Sequence, residues 1–318
     1  MRSLAHGRWG RRGLLLLCLL VPYRGALGSQ PAASLAEARA LVQRGDLAGA
    51  KADLSGYLQV HPEAAEAHFL LGYVLFREKM PKESLAEFTA GAKTQQVSAA
   101  DLKVVAADYV LLEDFADADK WLTLALKRAP EDAEGWYLLG RTKYNENRFA
   151  EAIASFEHTL ALRPKDVKAE DNVGLSYEGL NDVVKAKAAY LTAIAWQEGA
   201  AEKNAQPMMN LGGMLLRGNQ AGEAVPYLER AAVIDPRNAK AHEELGDGYL
   251  ALNQMEKAER EFEEASGLAP EASGLHYKLG KLYRRMGKTS EANREFAICS
   301  KLLSTHSSTD TPNLPSQR

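Results

Sequence analysis

A 34-residue period runs through this chain and leaves little choice of architecture. Ala50, Ser84, Ala118, Ala152, Ala186, Ala224, Ala258 and Ala292 follow one another at intervals of 34 residues, apart from a single interval of 38. A second column of small residues keeps the same rhythm: Ala38, Gly72, Ala106, Gly140, Gly174, Gly212, Gly246 and Gly280. Pro62, Pro130, Pro164, Pro236 and Pro270 form a third. Three columns in phase describe stacked supersecondary units that each touch only their neighbours, not the two globular domains that 318 residues would ordinarily suggest. Eight units tile residues 31–306, at 31–64, 65–98, 99–132, 133–166, 167–204, 205–238, 239–272 and 273–306, with four extra residues near Gly199–Asn204.

Each unit reads as two helices. In the fourth, Trp136, Leu139 and Tyr144 share one helical stripe, Ile153, Phe156 and Leu160 share another, and Pro164 terminates the second. Between the stripes lies a column of Gly45, Asn147, Asn181, Asn219, Asn253 and Gly287. Glycine and asparagine enter the left-handed conformation at a helix end at least cost. The small residues let two antiparallel helices close to short distance, which places Gly140 opposite Ala152, with Tyr177 and Tyr190, or Tyr249 and Phe262, filling the space beside that contact.

Trp136, Leu139-Gly140, Tyr144, Ala152, Phe156 and Pro164 at this period resemble a tetratricopeptide repeat, and the resemblance covers nearly all of the chain after its first segment. It departs locally: Gln96 stands where the second unit's proline belongs, and tryptophan fills its column only at Trp136. The first unit carries Ser34 and Glu37 where its neighbours are apolar, as an end unit with nothing before it requires. The resemblance implies an all-α, right-handed superhelical solenoid whose first helices line a concave groove that takes peptides or proteins. Carried onto this chain, that face holds Phe69, Tyr73 and Phe76 in the second unit and Tyr137, Arg141 and Tyr144 in the fourth. It holds Tyr277, Lys281, Arg284 and Arg285 in the eighth. Aromatics beside arginine combine large buried area with low rotamer entropy, although the same rings can pack on the adjacent unit. Asn172 and Asn210 recur at one place in successive units, where a carboxamide can both donate to and accept from a peptide backbone. The lysine and asparagine clamp that some members use for acidic C-termini is not reproduced.

The first 28 residues read as an address. A basic stretch to Gly13, an apolar run from Leu14 to Val21 and a polar segment ending Ala26-Leu27-Gly28 have the layout of a secretory signal cut before Ser29. Eight apolar residues are too few to span a bilayer, so the mature chain is not expected to cross a membrane. Arg11-Arg12 leaves both the general secretory and the twin-arginine routes open. Periplasmic or secreted placement follows. This segment holds five of the 39 basic residues and no acid, so the remainder carries 34 basic against 42 acidic residues, a net −8. That balance disfavours nucleic acid and anionic membrane surfaces as partners. The tail 307–318 is polar and expected to be disordered.

Catalytic and metal motifs do not complete themselves. His242-Glu243-Glu244 resembles the start of a zinc-protease helix, but the second histidine is replaced by Gly246, and His242 reads as a surface histidine. Gly287-Lys288-Thr289 lacks the upstream glycine of a phosphate loop. Cys18 and Cys299 exclude a disulfide scaffold or thiolate zinc site, and Cys299 reads as a core thiol. No enzyme, metal or small-molecule cofactor is expected. Lys278, Lys281, Arg284, Arg285 and Lys288 form a basic cluster beside Glu243, Glu244 and Asp247, either a partner site or a solvated face. Two functions stand: an exported scaffold binding a peptide or protein in its groove, or a structural subunit of an envelope assembly using its convex face or ends.

Overall fold

The computed structural model describes residues 34–309; the expected signal at 1–28 lies outside them. Sixteen helices and no strand occur among the described residues, arranged as eight antiparallel pairs. These are α1 (Leu35–Arg44) with α2 (Leu47–Val60), α3 (Ala65–Arg77) with α4 (Pro81–Gly91), and α5 (Ala99–Leu111) with α6 (Phe115–Arg128). Next come α7 (Ala133–Asn145) with α8 (Phe149–Leu162), α9 (Val167–Gly179) with α10 (Val183–Trp196), and α11 (Gln206–Arg217) with α12 (Ala221–Ile234). The last are α13 (Ala239–Ala251) with α14 (Met255–Leu268) and α15 (Ser273–Arg285) with α16 (Thr289–Thr309). Helix α16 continues three residues into the tail expected to be disordered from 307; the rest of that tail lies outside the described residues.

Helix starts follow local chemistry. Side chains of Ser34, Asp46, Ser98, Asp114, Asp132, Asp166, Asp182 and Asn238 accept from backbone amides of the following first turn. The turn within each pair holds one left-handed residue: Gly45, Asn147, Asn181, Asn219, Asn253 and Gly287, joined by Lys79 and Glu113 in the second and third units. The insertion before α11 is stapled by Gln197, whose amide donates to the Asn204 carbonyl (2.9 Å) while its oxygen accepts from the Asn204 N–H (2.7 Å).

Packing corrects one expectation. A Cβ at Gly140 would lie 2.6 Å from the Phe156 ring, so the glycine makes room for that ring and not for Ala152. Gly72 with Phe88, Gly174 with Tyr190, Gly246 with Phe262 and Gly280 with Phe296 repeat the arrangement. The alanine column from Ala50 to Ala292, Ser84 included, is buried throughout. The second helix of each unit packs on the first helix of the next. First helices also touch one another, α1 on α3, α3 on α5, α7 on α9, α9 on α11 and α11 on α13, whereas no pair of second helices packs to that extent. The side on which first helices converge is therefore the inside of the curve.

Candidate binding groove

Position 107 opens the groove. Ala107 stands one period after Tyr73 and one before Arg141, so a methyl group occupies the place of two long side chains. The result is a cavity of about 190 Å³ bounded by Phe76 from α3, Ala107, Val110 and Leu111 from α5, and Leu138 and Arg141 from α7. A cavity of roughly 150 Å³ is known to accept benzene in an apolar core, so one large aliphatic or aromatic side chain fits here. Lys103 also reaches this rim, but its ammonium is held 2.6 Å from the Asp132 carboxylate. Arg141 is exposed and has no acidic or hydrogen-bonding partner among the described residues.

The other expected groove residues divide. Phe69 is buried, stacked 6.0 Å from Phe88, and belongs to the core between the second and third units, which removes it from the exposed face. Tyr73 is half-buried, its hydroxyl accepting from Arg77 at 2.9 Å. Tyr137 is half-buried against Phe156, and its hydroxyl accepts from Asn172 Nδ2 at 3.3 Å; burial raises its pKa above the usual phenol value. Tyr144 meets Phe149 edge-on, and burial, then the nearby Glu178 carboxylate, raise its pKa. Tyr137, Arg141 and Tyr144 thus form no single exposed trio: the arginine faces solvent, while the tyrosines pack on Phe156 and Phe149. Tyr277 is 51% exposed with Lys281 lying 5.5 Å over its ring, and Arg284 lies 5.5 Å over Phe296.

Farther along the inner face the chemistry turns acidic. Tyr144, Glu178, Asn210, Arg217 and Glu244 line a second hollow of about 230 Å³. Glu178 accepts from the Tyr190 hydroxyl at 2.5 Å and pairs with Arg217. Glu244 Oε2 is buried without a hydrogen-bond partner, and burial raises that carboxyl's pKa. Asp171, 3% exposed, accepts from Asn210 Nδ2 at 2.9 and 3.0 Å, and burial pushes its pKa up to about 7. Asn210 in turn accepts from Gln206 at 2.8 Å, and Asn172 donates to the Lys168 carbonyl at 2.7 Å. Both carboxamides are engaged within the chain, so they do not stand as a free ladder.

Two further expectations change. His242 is not a plain surface residue: its Nδ1 lies 2.8 Å from Glu261 and its Nε2 3.2 Å from the Pro236 carbonyl. His68 and His276 make the same two contacts at the same column of their own units, and Trp136 Nε1, also in that column, donates to the Pro130 carbonyl at 2.8 Å. In these four units the column ties the preceding loop to the unit that follows it. The basic cluster is largely consumed: Lys278 bonds Glu243 and Asp247, Lys288 bonds Glu259, and Arg285 bonds Asn253. The residues missed by sequence reading are those of the third unit, Lys103, Ala107, Val110 and Leu111. The signal was a gap, a small residue in a column otherwise read for its large ones.

Family models for the tetratricopeptide repeat match residues 35–97, 133–166 and 239–271. A stretch of 86 residues is 31% identical to the peroxisomal targeting signal receptor of Kluyveromyces lactis, spanning 27% of this chain and only 15% of that protein. Among solved structures, a tetratricopeptide repeat protein from Parabacteroides merdae superposes with a TM-score of 0.62 at 18% identity, over 78% of this chain and 96% of that one. The C-terminal part of a repeat protein from Cytophaga hutchinsonii gives 0.60 at 15% identity, over 76% and 98%. At such identities the likeness is one of fold.

Proposed function

Since this chain is a right-handed solenoid of tetratricopeptide repeats, we propose that it is a non-enzymatic, exported scaffold that holds a peptide or an extended segment of a partner protein along its inner face. The cavity between α3, α5 and α7 carries this reading: it is apolar, open to the groove and sized for one side chain of a partner. Anchors of this kind dominate the affinity of peptide grooves, each worth about 1–3 kcal/mol when truncated. The excess of acid outside residues 1–28 argues against nucleic acid, and no cofactor is invoked. The reading as a structural subunit has weaker support. Val60 and Val233 are strongly exposed and lie apart on α2 and α12, while Val184 is exposed beside Val183 on α10, and apolar residues in ones and twos are ordinary on any surface.

Selection from a peptide library against the full chain tests groove binding. Enriched peptides should lose roughly tenfold or more in affinity for Ala107→Phe, which fills the cavity, and should be indifferent to Val184→Ser on the outer helix. The reverse pattern would move the binding surface to the outside of the curve. Export is tested separately, by N-terminal sequencing of protein recovered from outside the cytoplasm: Ser29 as first residue supports the signal, Met1 refutes its cleavage.

A further inference from the structure

The charge around the cavity specifies the ligand. Around the cavity the cations outnumber the available acids. Arg141 lines the cavity wall and is unpaired, and Arg77, which follows cavity-lining Phe76, bonds only the Tyr73 hydroxyl. Of the nearby carboxylates, Asp132 is already neutralised by Lys103, and Asp108, next to Ala107, is fully buried against Ser84. About two units farther on, the carboxylates of the second hollow have cations of their own: Glu178 is matched by Arg217, and Glu244 Oε1 lies 3.7 Å from Lys240 although its Oε2 has no hydrogen-bond partner. A guanidinium beside an apolar recess is complementary to a carboxylate beside an apolar side chain, because it forms a charge-assisted, bidentate pair where water is partly excluded.

We propose that the α3–α5–α7 cavity recognises an acidic apolar motif in an extended partner segment: one large apolar side chain seated over Ala107, with an aspartate or glutamate one or two residues away paired to Arg141. The spacing follows from reach. Arg141 itself forms part of the cavity wall, and neighbouring residues of an extended chain are about 3.3 Å apart, so the acid must lie close in sequence to the anchor. A basic residue at that position is disfavoured by Arg141. This inference rests on the groove reading above and sharpens it by naming the partner's chemistry.

The test pans the full chain against a nonapeptide library with leucine fixed at the centre and every other position randomised, and measures affinities of enriched peptides by fluorescence anisotropy. Wild type should enrich aspartate or glutamate within two residues of the leucine. Replacing that acid by asparagine or glutamine should weaken binding about tenfold, the usual worth of a charge-assisted pair. Arg141→Glu, on the exposed face and checked for an unchanged melting temperature, should convert the preference to lysine or arginine at the same positions. Enrichment of leucine peptides that Ala107→Phe abolishes, but with no acidic preference or with one that survives Arg141→Glu, overturns this inference while leaving groove binding intact. Enrichment indifferent to both substitutions, or no enrichment at all, overturns the groove reading and this inference with it.

Discussion

A glycine and an aromatic ring share one space in most of these repeats. Where the first helix offers glycine, the second helix fills the gap with Phe88, Phe156, Tyr190, Phe262 or Phe296, and with Leu228 at Gly212; where it offers Ala38 or Ala106, the residue at the equivalent place is Leu54 or Leu122. Gly140→Ala is therefore expected to cost about 1–3 kcal/mol in urea unfolding, since the new methyl would stand 2.6 Å from the Phe156 ring. Adding Phe156→Leu restores the alanine–leucine pairing, so the double variant should be more stable than the sum of the single effects predicts; strict additivity would refute the shared-space account. A second prediction concerns Asp108, fully buried between the second and third units. Ser84 has one hydroxyl proton and two acceptors in reach, the Gly72 carbonyl at 2.8 Å and Asp108 Oδ2 at 2.5 Å, while Asp108 Oδ1 has no partner. A protonated Asp108 donates to Ser84 and frees the serine proton for Gly72, in keeping with a pKa pushed by burial from 3.8 up to about 7. Below pH 3.8 both folded and unfolded chains hold the proton; between there and 7 only the folded chain does, so stability falls as pH rises, by about 1.4 kcal/mol per unit for this group, and levels off above 7. Unfolding measured at pH 5, 6 and 7 should show that slope, with a further share from Asp171, and Asp108→Asn should remove the part due to Asp108.

At the scale of the helix pair, the turn is where sequence and backbone disagree. Lys79 and Glu113 adopt φ of 60° and 59°, in a position that other units give to glycine or asparagine. A side chain in that conformation costs about 1–2 kcal/mol, of which glycine's greater freedom in the unfolded chain returns a part. Glu113→Gly should thus raise the melting temperature by a stability gain of about 0.5–1 kcal/mol, and Gly45→Ala at the matching turn should lower it by a similar amount. No change in either variant would mean that the turns relax without strain.

At the scale of the molecule, the array is unevenly bound. A single core cluster reaches from Ala186 and Tyr190 through α11–α14 to Leu279 and Ala292, whereas the first four units are held by several smaller clusters. Among contacts of one unit's second helix with the next unit's first, that of α4 with α5 is also the smallest, although α3 reaches α5 as well. Stability in a solenoid is the sum of unit and nearest-neighbour terms, so it need not be uniform. Hydrogen exchange should find the slowest amides in α11–α14 and faster opening in α3–α5, beside the proposed peptide cavity. Equal protection along the chain would contradict this. A bound peptide should slow exchange in α3, α5 and α7 first.

Periodicity determined most of the fold. Period, helix pairs and turns were legible because a repeat must present the same residue at the same place for each unit to bury its face on the next, and local chemistry then sets caps and breaks. Side-chain pairing between units was not legible. Phe69 reads like its neighbours Tyr73 and Phe76, yet Phe88 and the third unit cover it. Asn210 resembles a free ligand until Asp171, 39 residues earlier, takes its amide. The cavity depends on what is absent at Ala107 as much as on what lines it. Such contacts are set by the angle at which one unit stacks on the next, a quantity that no column of residues records and that only the packed array decides.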